Sequence, residues 1–167
     1  MGIELLEEKF QKYIAACPHN IQKLQDLADR AALVQMEMRK LFNEITPFLC
    51  RDCAAACCQC MPVEGWFTES DYFLYRMRHA APCDLRMAHD DYRSCAFLGL
   101  AGCVLPEDLR PFPCVKVNCR MVAEALEARG HMEVFTGLYN ALGLLQEELW
   151  PLLADIHSSH ALQAQAL

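Results

Sequence analysis

The sequence predicts a mainly α-helical single domain, in which an N-terminal helical hairpin and C-terminal helices surround an irregular, cysteine-rich core. Apolar residues recur at steps of three and four in residues 1–49 and 120–167, as helices require. Ten of the eleven cysteines lie instead in residues 50–119. The second half of that segment, residues 95–119, holds three prolines and two glycines and shows little periodicity. Regular structure and thiols are therefore predicted in different parts of the chain.

Residues 1–49 predict two helices separated by Pro18, with Asn20 placed to cap the second helix. The apolar stripe of the first helix is Ile3, Leu6, Phe10 and Tyr13. The stripe of the second is Ile21, Leu24, Ala28, Ala31, Met38, Phe42 and Ile45, interrupted by Gln35. These stripes suit a hairpin within the chain, and they equally suit pairing with a protein partner or a second copy in a homodimer.

Two further helices are predicted in residues 120–167. A short helix over residues 121–128 is ended by Gly130. The stripe of the last helix is Val134, Leu138, Ala141, Leu145, Leu149, Leu152 and Ile156. Pro151 lies inside this pattern and is expected to kink the helix or to start a new one. In the middle segment, "TESD" (residues 68–71) has the form of a capping box and predicts a helix that ends near His79.

The charge balance bounds the partners. Fifteen Lys and Arg against 22 Asp and Glu give a net charge of −7, which disfavours nucleic acid and anionic membranes as partners. The chain has no apolar run of about 18 residues, and its acidic first residues do not resemble a signal peptide. We therefore expect a cytoplasmic protein with reduced thiols, whose many cysteines indicate metal binding before disulfides.

The stretch "CRDCAAACCQC", residues 50–60, contains two C-x2-C pairs, Cys50 with Cys53 and Cys57 with Cys60. A C-x2-C turn brings two sulfurs to one metal with little backbone strain. Zinc ribbons separate such pairs by roughly 15–20 residues, whereas only three alanines intervene here. The tight steps favour an iron–sulfur cluster of the four-iron, four-sulfur type, and zinc completed by distant cysteines stays open.

Three stretches together, "CRDCAAACC", "CAFLGLAGCVL" and "LRPFPC", resemble the YkgJ-type cysteine cluster family, also called the CxxCxxCC zinc- or iron-chelating domain. That pattern continues from its cysteine run to a "T-x-x-D" helix start, "C-x-F-L", a cysteine before a short apolar strand, and "R-P-x-x-C". The resemblance covers residues 50–119 and implies metal chelation. The chain departs from the pattern by having three alanines before the double cysteine, which leaves the third ligand open among Cys57, Cys58 and Cys60.

Clustering and motif order together give nine candidate metal ligands: Cys50, Cys53, Cys57, Cys58, Cys60, Cys95, Cys103, Cys114 and Cys119. Arg110, shortly before Cys114, is expected to assist cofactor binding by donating to a thiolate and offsetting its charge. Cys17, at the end of an amphipathic helix, is interpreted as a small buried apolar residue.

Three classes of function follow from these residues. The first is a metal-binding protein holding an iron–sulfur cluster or zinc, and the second is an iron–sulfur electron carrier or redox sensor. The third is a metalloenzyme or methyltransferase-associated subunit, for which the sequence offers no catalytic residues. The spacing C-x3-C-x2-C also occurs here, but the partial barrel of radical S-adenosylmethionine enzymes is not predicted. A thioredoxin-like role for "CRDC" is disfavoured because its βαβ context is missing.

Overall fold

The computed structural model describes residues 3–45, 49, 68–82, 95, 97–99, 102–105, 110, 114 and 119–164, the last range with side chains through residue 154. Over these residues the chain is mainly helical, as predicted. The elements in chain order are α1 (Ile3–Ala16), a 3-10 turn (Pro18–Asn20), α2 (Ile21–Asn43), α3 (Glu69–Arg78), β1 (Leu98–Gly99), β2 (Gly102–Cys103), α4 (Arg120–Ala128) and α5 (Met132–Ala164). None of the helices within the described ranges combines the length and apolar character needed to cross a bilayer.

The break between α1 and α2 falls at Pro18, as the sequence predicts. Asn20 occupies the N-cap position of α2, but its side chain makes no capping hydrogen bond. The reason is its backbone: φ −90° and ψ −10° are already helical because Asn20 ends the 3-10 turn, whereas a capping side chain needs extended backbone. Asn20 therefore occupies the predicted N-cap position, but its side chain does not cap the helix.

Helix α2 packs mainly on α5 and next on α3. Arg30 forms two hydrogen bonds of 2.9 Å with Glu148, and Phe42 packs edge-on against Phe135. Arg30 lies early in α2 and meets Glu148 late in α5, whereas Phe42 lies late in α2 and meets Phe135 early in α5. The two helices therefore run antiparallel. One hydrophobic cluster then joins residues of all five described helices.

The predicted hairpin of α1 and α2 is corrected in one respect. Both helices and the turn are present, but the main packing partner of α1 beyond that turn is α3, and that of α2 is α5. The aromatic ring of Phe73 in α3 explains the difference, because it packs against both Phe10 and Tyr13 of α1. Most of the apolar stripe of α2, with the predicted interruption at Gln35, is buried within the same chain, while Ile21 and Phe42 are half-buried.

A buried polar network also joins α1 to α3. Arg76 donates from Nε to Glu7 Oε2 at 2.7 Å and from Nη2 to Glu7 Oε1 at 3.1 Å. Tyr72 donates to Glu7 Oε2 at 2.5 Å, and Gln11 donates to Glu7 Oε1 at 2.7 Å. The Arg76 guanidinium also lies 4.9 Å from the centre of the Phe10 ring. We call Glu7, Gln11, Tyr72 and Arg76 the Glu7 network.

The ends of α3 and α4 follow their local sequence. Thr68 accepts from the Asp71 backbone N–H at 3.3 Å, and its own N–H donates to Asp71 Oδ2 at 3.0 Å, which completes the predicted capping box. After α4, Gly130 adopts φ +70°. Its N–H and that of His131 donate to the carbonyls of Glu127 and Leu126, both at 2.9 Å, which is the Schellman pattern.

Helix α5 corrects the predicted stripe and excludes one of the two effects expected of its proline. Val134 is 55% exposed, while Phe135 and Leu142, which the stripe omitted, are buried. Pro151 lies inside the helix and does not start a separate one. Its neighbour Trp150 is 74% exposed. The buried face of α5 is thus a Phe and Leu ridge that begins one residue later than the sequence pattern suggested.

Candidate metal centre

A two-stranded hairpin positions the first candidate ligands. Strands β1 and β2 pair antiparallel, with Leu98 opposite Cys103, and the Val104 N–H donates to the Phe97 carbonyl at 2.7 Å. Phe97 and Leu105 are buried and flank the pairing on its two strands. The hairpin therefore places Cys103 opposite Leu98, three residues after Cys95 in the chain.

Cys114 completes a group of three thiols. Its pKa is raised to about 12, first by desolvation and then by the neighbouring charges of Cys95 and Cys103. Asp71 raises this pKa further, while Arg110 lowers it. Although the Cys114 residue has an exposed surface, its thiol is largely desolvated by protein. Cys95, Cys103, Asp71 and Arg110 thus all lie within electrostatic range of Cys114, and we call Cys95, Cys103 and Cys114 the thiol site.

The electrostatics of the thiol site suit a cation. Burial first, and the nearby Cys95, Cys103 and Asp71 second, raise the pKa of Cys114 to about 12 and so favour its neutral thiol. A bound metal cation inverts this preference, because a coordinating thiol gives up its proton to the solvent. Such an arrangement is therefore unfavourable for free thiolates and favourable for thiolates that share a cation.

Arg110 supplies the positive side chain at this site. It is half-buried, and its Nε is buried with no hydrogen-bond partner among the described residues. A buried guanidinium donor without a partner is costly, so an acceptor is expected nearby. A thiolate sulfur is one such acceptor, since Arg110 already acts electrostatically on Cys114.

The remaining candidate ligands are placed differently. Cys119 is the N-cap residue of α4 and packs against the helical cluster. The other five predicted ligands, Cys50, Cys53, Cys57, Cys58 and Cys60, lie outside the described residues. Cys17 is buried in the helical cluster, which confirms its interpretation as a small apolar residue.

The described part of the chain does not by itself form a complete metal-binding group. Within those residues, no three His, Cys, Asp or Glu side chains converge closely enough to hold a metal ion. The thiol site is therefore a partial donor set. The cysteine run of residues 50–60 lies outside the described residues, so the metal ligation predicted for that run stays a prediction.

One residue of this neighbourhood was missed by the sequence reasoning. Asp71 was recognised as the acidic member of a capping box, but not as a neighbour of Cys114, 43 positions later in the chain. No local pattern signals that contact. The order of elements in the family pattern, with "T-x-x-D" between the cysteines, is the one feature of the sequence that hinted at it.

No protein-family model, no curated protein and no solved structure matches this chain. The class of protein is therefore defined by the chain's own fold and residues. It is a mainly helical protein in which Cys95, Cys103, Asp71 and Arg110 act electrostatically on Cys114.

Proposed function

We propose that the chain binds a metal through thiolates of residues 50–119, as an iron–sulfur cluster or as zinc, in the manner of the YkgJ-type cysteine cluster family that it resembles. The observation that supports the proposal is that Cys95 and Cys103 both act electrostatically on Cys114, as does Arg110. These residues come from separate parts of the motif, so their proximity is not a result of sequence adjacency.

Arg110 supports the proposal independently of the thiols. Its buried Nε is left without a described acceptor, and a metal thiolate would provide one. Ligands held by outer hydrogen bonds are fixed in orientation, and the charge of a thiolate-rich centre is partly offset. We therefore assign Arg110 the role of supporting the bound metal rather than ligating it.

The cysteine run of residues 50–60 is proposed to supply the remaining sulfur ligands of the metal. Four-coordinate thiolate sites need four ligands, and the thiol site offers three. One or more of Cys50, Cys53, Cys57, Cys58 and Cys60 would complete it. Cys119 is the weaker candidate, because it packs on the helical cluster at the start of α4.

A redox role is the second candidate function. Cys103 of the thiol site is exposed. Electron transfer to a partner, or sensing of an oxidant, needs a centre that lies near the surface, and exposure also affects the potential of an iron–sulfur cluster. This exposure favours an electron carrier or redox sensor if the metal is iron.

The test is metal and acid-labile sulfide analysis with a visible spectrum, on protein purified without oxygen and without a metal-binding tag. A brown sample with about four iron and four sulfide per chain would support the cluster. A colourless sample with one or two zinc would support a zinc site. Metal-free protein that is fully folded would contradict the proposal.

Two cysteine variants sharpen this test. Cys114→Ser is expected to lose most of the bound metal, because it removes a sulfur from the thiol site. Cys17→Ala is the matched control, since it removes a buried thiol from the helical cluster and should leave the metal content unchanged. Equal metal content in both variants would remove Cys114 from the donor set.

A further inference from the structure

We propose that the outer surface of α2 and α5 binds a basic amphipathic helix of a partner protein. Three exposed apolar side chains lie at the centre of this surface, Leu33 and Met36 of α2 and Leu144 of α5, and we call them the outer patch. Leu33 and Leu144 are 60% and 59% exposed, and Met36 is 46% exposed. Binding at the outer patch needs no metal, so it is a property of the chain beyond the proposed function.

The ion pair between Arg30 and Glu148 fixes where the outer patch lies. Leu33 follows Arg30 by three residues and Leu144 precedes Glu148 by four, so each leucine lies about one helical turn from the ion pair. Because α2 and α5 run antiparallel, both leucines are displaced in the same direction along the helix pair. They are therefore at the same level on neighbouring helices, and Met36 extends the patch by one turn of α2.

The shape of this surface suits a third helix. Single apolar residues on a protein surface are common, but the residues of the outer patch neighbour one another across two packed helices. Two antiparallel helices leave a groove between them, and a helix with apolar residues at steps of three and four packs into such a groove. Apolar anchors from that helix would remove the exposed surface of the outer patch from water.

The cations of α2 closest to the outer patch are already engaged within the chain. Arg30 donates two hydrogen bonds of 2.9 Å to Glu148, and Lys40 pairs with Glu37 at 2.6 Å. Arg39 is half-buried, and two nitrogens of its guanidinium are buried. These side chains therefore offer little positive charge to a partner.

The charges beside the outer patch that are not offset are negative. Asp29, four residues before Leu33, accepts hydrogen bonds from the Gln25 amide at 3.2 Å and forms no ion pair with another described residue. Glu147, three residues after Leu144, likewise has no ion-pair partner among the described residues. Helix α5 as a whole contains four Asp and Glu and no Lys or Arg. A partner with Lys or Arg beside its apolar anchors is therefore the electrostatic complement of this surface.

The same charges disfavour a second copy of the chain as the occupant. Two copies would bring their acidic rims against each other, and each copy has a net charge of −7. A helix that carries Lys and Arg beside its apolar residues has charge of the opposite sign, which speeds association and selects the partner. The charge therefore favours a basic partner helix over a homodimer.

The experiment uses a dye-labelled synthetic helix of about 20 residues, with Leu on one face and Lys on the other, as its probe. A matched peptide has Glu in every Lys position. Fluorescence anisotropy measures the binding of both peptides to the full-length protein. The Leu and Lys peptide is expected to bind about tenfold or more tightly than the Leu and Glu peptide, and its affinity should fall as salt is added.

A pair of leucine substitutions tests whether the peptide binds at the outer patch. Leu33→Gln combined with Leu144→Gln is expected to weaken binding of the Leu and Lys peptide by about tenfold or more, because two apolar contacts are lost. Both positions are exposed and Gln is a good helix former, so the variant should keep its helical circular dichroism. Leu144→Gln alone serves if the double variant does not fold. Leu5→Gln, at an exposed leucine of α1, is the matched control and should keep the affinity within about twofold.

A pair of charge substitutions separates the local rim from the net charge of the protein. Asp29→Asn combined with Glu147→Gln is expected to weaken binding by about threefold or more. Glu4→Gln combined with Glu8→Gln removes the same net charge from α1 and should keep the affinity within about twofold.

Weaker binding in the leucine pair and in the pair at Asp29 and Glu147, but not in their controls, supports the proposal. Equal binding of the two peptides, or unchanged affinity in the folded leucine variant, overturns it. Sedimentation that shows a dimer of the unaltered protein, separated by the leucine substitutions, also overturns it, because a second copy would then occupy the outer patch. Each of these results leaves the proposed metal binding unaffected.

Discussion

Glu7 has an environment that a surface position in an amphipathic helix does not suggest. It lies between Leu6 and Glu8 in the sequence, and it receives hydrogen bonds from Arg76, Tyr72 and Gln11. The Arg76 guanidinium, through its hydrogen bonds, lowers the pKa of Glu7 from 4.5 to about 2, against an opposing effect of burial. Arg76 itself is almost fully buried, so the charge pair is a determinant of how α1 sits on α3.

Replacing Glu7 with Gln should therefore destabilise the protein by about 2–3 kcal/mol at neutral pH, since it leaves Arg76 buried without its counter-charge. Because the folded pKa of Glu7 lies below the unfolded value, its contribution is fully present above pH 4.5. That contribution declines as the pH falls and is lost near pH 2. Urea unfolding of both proteins at pH 7 and at about pH 3 measures it.

The expected difference in the free energy of unfolding is less than half as large at pH 3 as at pH 7. Glu8→Gln is the matched control, because Glu8 is exposed and its replacement should change the free energy of unfolding much less at both pH values. A Glu7→Gln effect that is independent of pH would mean that packing of the side chain, rather than its charge, stabilises the contact.

At the scale of elements, local signals predicted helix ends well and packing partners poorly. The capping box at residues 68–71 and the stop at Gly130 depend on residues a few positions apart, so their chemistry is visible in the sequence. Asn20 failed as a cap because the preceding turn set its backbone. Val134 was assigned to the core because two adjacent helical registers share most of their apolar residues, and only the contact with α2 selects between them.

Gly130, which follows α4, and Gly137, which lies inside α5, should respond oppositely to alanine. Gly130 has φ +70° with open space around its Cα, so Gly130→Ala meets no clash but is strained in its backbone and should cost about 1 kcal/mol. Gly137 lies inside α5, also with open space, so Gly137→Ala should stabilise the protein by about 0.5–1 kcal/mol. Thermal unfolding of the two variants measures both signs, and a gain at Gly130 would contradict the left-handed assignment.

At the scale of the whole molecule, the packing of the five helices α1 to α5 could be predicted from the sequence to a greater extent than the thiol site. The helices bury a single cluster, and apolar spacing alone indicated most of its members. The thiol site depends on contacts between distant segments, and spacing could nominate its cysteines but not decide which of them meet. Cys114 and Asp71 are such a pair, joined only by the fold.

The stability of the packed helices should depend on the contact between α2 and α5. Leu142 is fully buried, and Leu142→Ala is expected to cost about 2–5 kcal/mol because it leaves a cavity in the shared cluster. Leu144, two residues away, is 59% exposed, and Leu144→Ala should change the stability by less than about 0.5 kcal/mol. Chemical unfolding monitored by circular dichroism compares the two, and similar losses would contradict the assigned rotation of α5.

The exposed indole of Trp150 has a practical consequence for following metal binding by light. Because its ring is already in water in the folded protein, its fluorescence should change little when the chain gains or loses a metal. The chain has one other tryptophan, Trp66, six positions after Cys60. A change in tryptophan emission during a metal titration would therefore report mainly on Trp66. The Trp150→Phe variant would have Trp66 as its single tryptophan, and its emission wavelength would report on the cysteine-rich segment.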